Sequence, residues 1–192
     1  GFPLGTDPLG RDVLARVIIG GEISLKVGVY SALGAVVIGI IMGLVSGYYG
    51  GFLDMIVMRF ADVQLALPFI LLAITFIAVI GGGLTNMIIL LIISQWVQYA
   101  RLVRGSVLSL RDREFILAAK AIGVKDIRIL FQHLLPNLIG PVIVLMTLNV
   151  ANNILLESSL TFLGLGVDPV IPSWGGMLAE GRTYLQTAWW VS

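Results

Sequence analysis

The sequence predicts an all-α, polytopic membrane protein: a bundle of transmembrane helices with a surface helix at one end and a basic loop between two spans. Three observations predict it. Of the 192 residues, 58% are hydrophobic and only 12% are charged, about half of the ~25% typical of soluble domains. Mean hydropathy is +1.00. The charges are also segregated, so that residues 27–53, 63–100 and 134–156 carry none. Such a chain belongs in lipid. It has no cysteine, which excludes disulfides and thiolate metal sites but fixes no compartment. Residues 1–26 lack a basic segment followed by an apolar one, so no signal peptide is expected. The absent start Met and the abrupt end at Trp189-Trp190-Val191-Ser192 read as a fragment of a longer chain.

Residues 1–26 are expected to form an external interfacial helix. Asp7 can cap a helix whose first residue is Pro8. Leu9, Val13, Leu14, Val17 and Ile18 then share one side. Arg11, Asp12 and Arg16 share the other, with Asp12 and Arg16 paired at i,i+4. That is a helix lying on a membrane surface. The transmembrane part is residues 27–192. Residues 27–53 could reach about 40 Å, enough to cross a hydrocarbon core of about 30 Å, and span one is placed at 27–49. Tyr48 and Tyr49 sit where an interfacial belt belongs. Ser31, Ala35, Gly39, Gly43 and Gly47 recur every fourth residue, a ladder of small side chains against which another backbone can close.

Residues 63–100 would extend about 57 Å as one helix, nearly twice the core thickness. They must fold back, and Gly81-Gly82-Gly83 is the break. Spans two and three are placed at 55–80 and 84–102. Arg59 and Asp62 form an i,i+3 pair near the interface, and Pro68 removes a backbone donor and kinks span two. Span four is placed at 134–156. A polar-to-mixed external loop follows over 157–186, and residues 187–192 read as the start of a further span.

Seven of the twelve Lys and Arg lie between Arg101 and Arg128, against three acids. The loop over 103–133 is therefore expected in the cytoplasm, which puts residues 1–26 and 157–186 outside. Within that loop, Arg111 to Ile122 reads as a helix. Ala118 and Ala119 lie in its last turns, where small side chains let it sit deep in a groove on another protein. Gly123 stands where a left-handed cap is cheap for Gly. Lys125 and Asp126 open a second helix leading through Leu135-Pro136 into span four. Helix, hinge and anchored helix make a lever.

Ala118-Ala119, Gly123 and Leu135-Pro136 are in register with the EAA signature of ABC importer permeases, and the chain resembles that family. Leu117 stands where the pattern has Glu, and His133 where it has Ile. Glu114 three residues upstream, with His133-Leu134-Leu135-Pro136-Asn137, is similar to the dipeptide/oligopeptide/nickel branch. Gly5-Thr6-Asp7-Pro8-Leu9-Gly10-Arg11-Asp12 and Leu160-Thr161-Phe162-Leu163-Gly164-Leu165-Gly166 resemble segments of the same branch. The second is followed by Pro169, Pro172 and Ser173-Trp174-Gly175. Its Gly and Pro content argues for a shaped loop, read either as an outer docking surface or as a lid over helix ends.

The resemblance implies a type I ABC importer permease fold and a multi-pass protein of the inner (plasma) membrane. It implies no ATPase site and no cofactor in this chain, ATP being bound by partner ABC ATPase subunits. The other expected partners are a second permease subunit in a heterodimer, an extracytoplasmic substrate-binding protein and the lipid bilayer. No nucleic acid is expected. The implied cargo is di- or oligopeptides, moved by alternating access, with nickel or glutathione as the alternative within the family. Glu114, Ala118, Ala119, Gly123, Leu135 and Pro136 are the residues it assigns to ATPase coupling.

Asn149, Asn152, Asn153 and Glu157 form a polar stripe on span four. It either lines the translocation path or bonds helix to helix. Gln95 and Gln98 pose the same question more weakly. His133 has no partner at ligand spacing, so no metal site is expected. There is no GxxxxGK[ST], so the chain has no P-loop of its own, and no Ser/His/Asp set suggests hydrolysis. A self-contained secondary transporter would need ionisable groups at the span centres, where none are expected. A membrane scaffold without transport is the remaining rival.

Overall fold

The computed structural model describes residues 2–166, 171–185 and 188. Among these, regular structure is helical, apart from an isolated bridge between Thr6 and Asp12. The helices are α1 (Val13–Tyr49), α2 (Gly51–Ala66), α3 (Phe69–Ile80), α4 (Leu84–Leu110), α5 (Glu114–Ala121), α6 (Asp126–Arg128), α7 (Leu135–Phe162) and α8 (Trp174–Gly181). A π turn, Ile129–Leu134, joins α6 to α7, and the run Asp126–Phe162 counts as one long apolar element. That run, α1 and α4 are each long and apolar enough to cross a membrane. Of the expected further span, 187–192, all but residue 188 lies outside the described residues, as does Pro169.

The boundaries differ from expectation in instructive ways. Helix α1 begins at Val13, not Pro8, and runs without a break through the segment expected to lie on the surface. The cap is Asp12, whose Oδ1 accepts from Leu14 N–H at 3.0 Å. Asp7 instead closes a turn: its Oδ1 accepts from Leu9 and Arg11 N–H, both at 2.9 Å, and Gly10 N–H returns to its carbonyl. Short acidic side chains capture nearby backbone donors in this way, and here that competes with helix initiation. Span two is two helices, interrupted at Leu67 and Pro68, where Leu67 takes an extended backbone (φ −88, ψ 126). The residue before proline is driven out of the α region, so Pro68 ends α2 rather than bending it. The loop helix is shorter than expected, Glu114–Ala121. The π turn lies just before Pro136, whose missing N–H already removes one α-helical bond.

The chain divides into two compact units, described separately. One comprises residues 32–69 and 92–148. Its core is formed by Ala35, Leu44, Tyr48, Tyr99, Val103, Val107, Ile116, Ala119, Ile129, Leu130, Leu134, Leu138 and Val142. The small-residue ladder organises it. Gly39, Gly43 and Gly47 are buried, and a Cβ on Gly43 would sit 2.7 Å from both the Ala100 carbonyl oxygen and Val103 Cβ. Backbone-to-backbone approach of α1 and α4 is what glycine permits here. Helix α2 is tied to α4 by polar contacts. Asp54 takes a forked bond from Arg104 at 2.5 and 2.6 Å. The Gln64 amide donates to the Ile93 and Ser94 carbonyls and accepts from Trp96 Nε1–H.

The other unit comprises residues 1–31, 70–91 and 149–192. Val27, Leu90, Leu91 and Leu160 are buried in it. Ser173 caps α8 by accepting from Gly176 N–H, and Trp174 lies over Gly20 and Gly21, its Nε1–H donating to the Val17 carbonyl at 3.0 Å. The segment expected to be a shaped loop thus contains a docked helix.

Candidate functional site

The basic loop presents α5 as an amphipathic helix with unequal faces. Ile116 and Ala119 point into the core of their unit, while Phe115, Leu117, Ala118 and Ile122 are exposed. The two neighbouring alanines therefore do different things. Ala119 is small because it packs against this chain's own core, and only Ala118 faces outward. Glu114, in the first turn, is exposed where its charge favours the positive helix end.

Gly123 terminates α5 at φ +78. Its N–H bonds to the Lys120 carbonyl at 3.0 Å, and Val124 N–H to the Ala119 carbonyl at 3.0 Å. This paired pattern satisfies the last carbonyls and needs a left-handed residue, which glycine adopts without penalty. The same cap ends α7, with Gly164 at φ +78 bonding to Thr161 and Leu165 N–H to Leu160. Val124 then packs on the core, so the turn is anchored on its far side. Leu135 packs there as well, whereas Pro136 is exposed. A shallow hollow opens beside the turn, lined by Ile122, Val124, Lys125, Ile127 and Arg128.

Sequence reasoning missed what holds this element to the bundle. Tyr48, at the end of α1, donates its hydroxyl to Asp126 Oδ1 at 2.7 Å, and the Lys120 ammonium lies 4.8 Å from its ring centroid. The ring of Tyr49 meets it edge-on at 5.2 Å. Tyr48 thus engages both helices of the loop at once, through a hydrogen bond to one and a cation–π contact to the other. Its position at a span end had signalled only an interfacial aromatic.

At the N-terminal end, Arg16 pairs with Asp7 at 2.6 Å and Glu180 at 2.7 Å rather than with Asp12. Arg11 joins both acids. Burial raises the Asp7 carboxyl pKa, but hydrogen bonds from Arg11 and Leu9 N–H and from the two guanidinium groups outweigh it, leaving the carboxyl below its ordinary value. Arg16 and Glu180 also border a hollow of about 520 Å³ with Gly82, Gly83, Thr161 and Ser173.

The polar stripe of α7 divides. Asn153 is buried, donating to Ser31 Oγ at 2.7 Å and the Gly28 carbonyl at 3.3 Å. Glu157 is buried too, accepting from Ser24 at 3.0 Å and Thr161 at 2.9 Å. Asn149 is buried, and Asn152 alone of the four is exposed. Three of the four therefore sit in helix packing. Gln95 is buried and Gln98 exposed. Asp62, expected to pair with Arg59, pairs instead with Arg101 of α4 at 2.6 Å.

Long apolar helices joined by a basic loop that carries a short half-exposed helix define an integral membrane protein. Residues 35–191 match the family of the binding-protein-dependent transport system inner membrane component, and the chain belongs to that family. It is a multi-pass protein of the inner membrane. It is 46% identical over 186 residues to the dipeptide transport system permease protein DppC of Alkalihalophilus pseudofirmus, covering 97% of this chain and 61% of that protein. It is 42% identical to the glutathione transport system permease protein GsiD of Pectobacterium atrosepticum, covering 94% and 60%. It is 44% identical to the oligopeptide transport system permease protein OppC of Bacillus subtilis, covering 92% and 58%. The chain thus spans about three fifths of the length of these relatives. Among solved structures, a chain of the MetNI methionine ABC transporter in an inward-facing conformation matches with a TM-score of 0.71 at 20% identity, covering 92% of this chain and 82% of that one. The fold is that of an ABC transporter permease.

Proposed function

We propose that this chain is the permease part of an ATP-driven importer that carries di- or oligopeptides inward by alternating access. Partner ABC ATPase subunits supply the energy. A second permease chain completes the route, and an extracytoplasmic binding protein delivers the cargo. The observation that carries this reading is the construction of α5. One face is locked into the bundle by Ile116 and Ala119, and the other offers Phe115, Ala118 and Ile122 to a partner. A force on the exposed face reaches the Asp126–Phe162 element through Gly123 and the anchored Val124, and reaches α1 through Tyr48. The names of the relatives support peptide cargo, and GsiD keeps glutathione, itself a peptide, as the alternative.

The test is purification of the full complex from the inner membrane. ATPase subunits are expected to co-purify, with hydrolysis stimulated by the binding protein loaded with a dipeptide. A chain that isolates without an ATPase, or a complex whose hydrolysis ignores every peptide including glutathione, would refute the proposal.

A further inference from the structure

Helix α8 lies against the first turns of α1, and its two ends are fastened by different chemistry. At its start the fastening is packing. Ser173 is fully buried, the Trp174 ring lies over Gly20 and Gly21, and a Cβ on Gly21 would stand 2.8 Å from that ring. The Trp174 indole N–H donates to the Val17 carbonyl at 3.0 Å, and its backbone N–H to Ser24 Oγ at 3.4 Å. A Cβ on Gly175 would stand 2.5 Å from Ser158 Cα, so the two backbones are in direct contact. At the far end the fastening is charge. Gly181 is buried there but brings no side chain, and Glu180 Oε2 accepts from Arg16 at 2.7 Å and from Arg11 at 3.3 Å. Just beyond, the Arg182 guanidinium lies 5.5 Å from the Phe162 ring centroid.

The charged end is built to let go. Arg16 Nη1 is shared between Glu180 and Asp7, and Arg11 is bonded to both acids as well. When Glu180 leaves, both guanidinium groups keep Asp7, whose side chain is 1% exposed, at 2.6 Å. Glu180, already 39% exposed, passes into water. No buried charge is stranded, and stranding one is what makes a broken ion pair costly. Pairs with a partner in water contribute little and are screened by salt. Lifting Trp174 would instead expose an indole and strip its bonds to Val17 and Ser24. Ser173, Gly176 and Ala179 of α8 border the hollow of about 520 Å³ at three-residue spacing, one face of the helix. Much of the remaining wall is glycine, at Gly82, Gly83, Gly164 and Gly166, which leaves the space unfilled by side chains.

We propose that α8 is a strap across this hollow, hinged at Trp174 and latched by Glu180, and that the loaded binding protein lifts the Glu180 end during the transport cycle. Helix α1 is long enough to cross a membrane. The strap holds its first turns, and the basic loop packs on its last turn through Tyr48. The strap therefore lies on the face away from the ATPase subunits, where an external partner arrives. Lifting turns α8 about its packed end and opens the hollow to that partner, while Asp7 keeps Arg11 and Arg16 in place. The part played by the binding protein rests on the importer reading, whereas the hinge and the latch stand on the contacts of this chain alone.

The absence of cysteine lets one introduced thiol report alone on this chain. The experiment places Ala179→Cys at the latched end, Ser24→Cys beside the hinge and Leu178→Cys as an exposed reference, each in the full complex in nanodiscs. A polar maleimide is added, and labelling of this chain is followed by mass and normalised to Leu178→Cys. Raising KCl from 50 mM to 1 M is expected to speed Ala179→Cys about threefold. Adding Glu180→Gln is expected to speed it about fivefold at low salt and to remove the salt effect. Ser24→Cys is expected to stay unreactive throughout. Rates at position 179 that ignore both salt and Glu180→Gln would overturn the latch. If the Glu180→Gln complex does not assemble, the salt series decides alone. A thiol at position 24 that opens in step with position 179 would overturn the hinge, since the whole helix would then be leaving. Loaded binding protein with ATP trapped is expected to speed Ala179→Cys about threefold at low salt. No change there, in a complex whose hydrolysis the binding protein stimulates, would overturn the role in transport. Absent stimulation refutes the importer reading instead, and with it that role, while the salt and Glu180→Gln series still decide the strap.

Discussion

Replacing Gly123 by Val separates the cap from everything else in the coupling loop. The site is open, with nothing within 4 Å of where a Cβ would stand, so the substitution causes no clash with neighbouring atoms. The cost lies in the backbone, because φ is +78. A left-handed conformation costs an ordinary L-residue about 1–2 kcal/mol, and a β-branched one more. Burial of Ile116, worth about 1.5–3 kcal/mol, keeps α5 docked together with Ala119 and the Lys120–Tyr48 contact. Strain of about 2 kcal/mol removes a large share of that docking and shifts the docked-to-undocked ratio roughly thirtyfold. The spans themselves do not depend on it, so insertion and complex assembly should survive. In the reconstituted complex, ATPase activity stimulated by loaded binding protein should fall by roughly tenfold or more, and a thiol at position 116 should become reactive. Gly123→Asn, which tolerates the left-handed region, should retain most of the activity. A Val variant with full stimulation and a protected position 116 would refute the reasoning.

Three further outcomes follow from the same geometry. Ala118→Arg should leave thermal stability of the isolated chain within about 0.5 kcal/mol of the parent while weakening ATPase co-purification. Ala119→Arg should instead destabilise the chain itself by about 3 kcal/mol or more, because its side chain enters the core. Gly43→Ala forces α1 away from α4 and should cost about 1–3 kcal/mol, read as a lower unfolding midpoint in detergent; an unchanged midpoint would show that the helices are not in close contact there. Asp7 has a lowered folded pKa, so its contribution is fully present above the ordinary carboxylate value of about 4 and is lost as pH falls through the folded value. Thermal scans between neutral and acid pH should show a loss in the parent that Asp7→Asn flattens; identical pH profiles would contradict the assignment.

How much could be read from residue order alone differs from element to element. The ladder from Ser31 to Gly47 was visible as a four-residue repeat; its Gly39, Gly43 and Gly47 do seat α1 on α4, whereas Ser31 bonds to Asn153 of α7. Gly123 and the Ala118-Ala119 pair were visible as local signals, because helix caps depend on residues adjacent in sequence. Pro68 was visible as a disturbance, though its effect, ending one helix and letting another begin, depended on the backbone of Leu67.

Charge pairing was misread because the nearest opposite charge along a helix is not the nearest in space. Arg16 passed over Asp12 for Asp7 and Glu180, and Asp62 passed over Arg59 for Arg101. Helix period and hydropathy therefore determined that this chain crosses a membrane, where the helix of its basic loop lies and how that helix stops. Only tertiary structure decided which alanine faces outward, what Tyr48 grips and which polar side chains are spent on packing, because those depend on contacts between segments that sequence spacing does not encode.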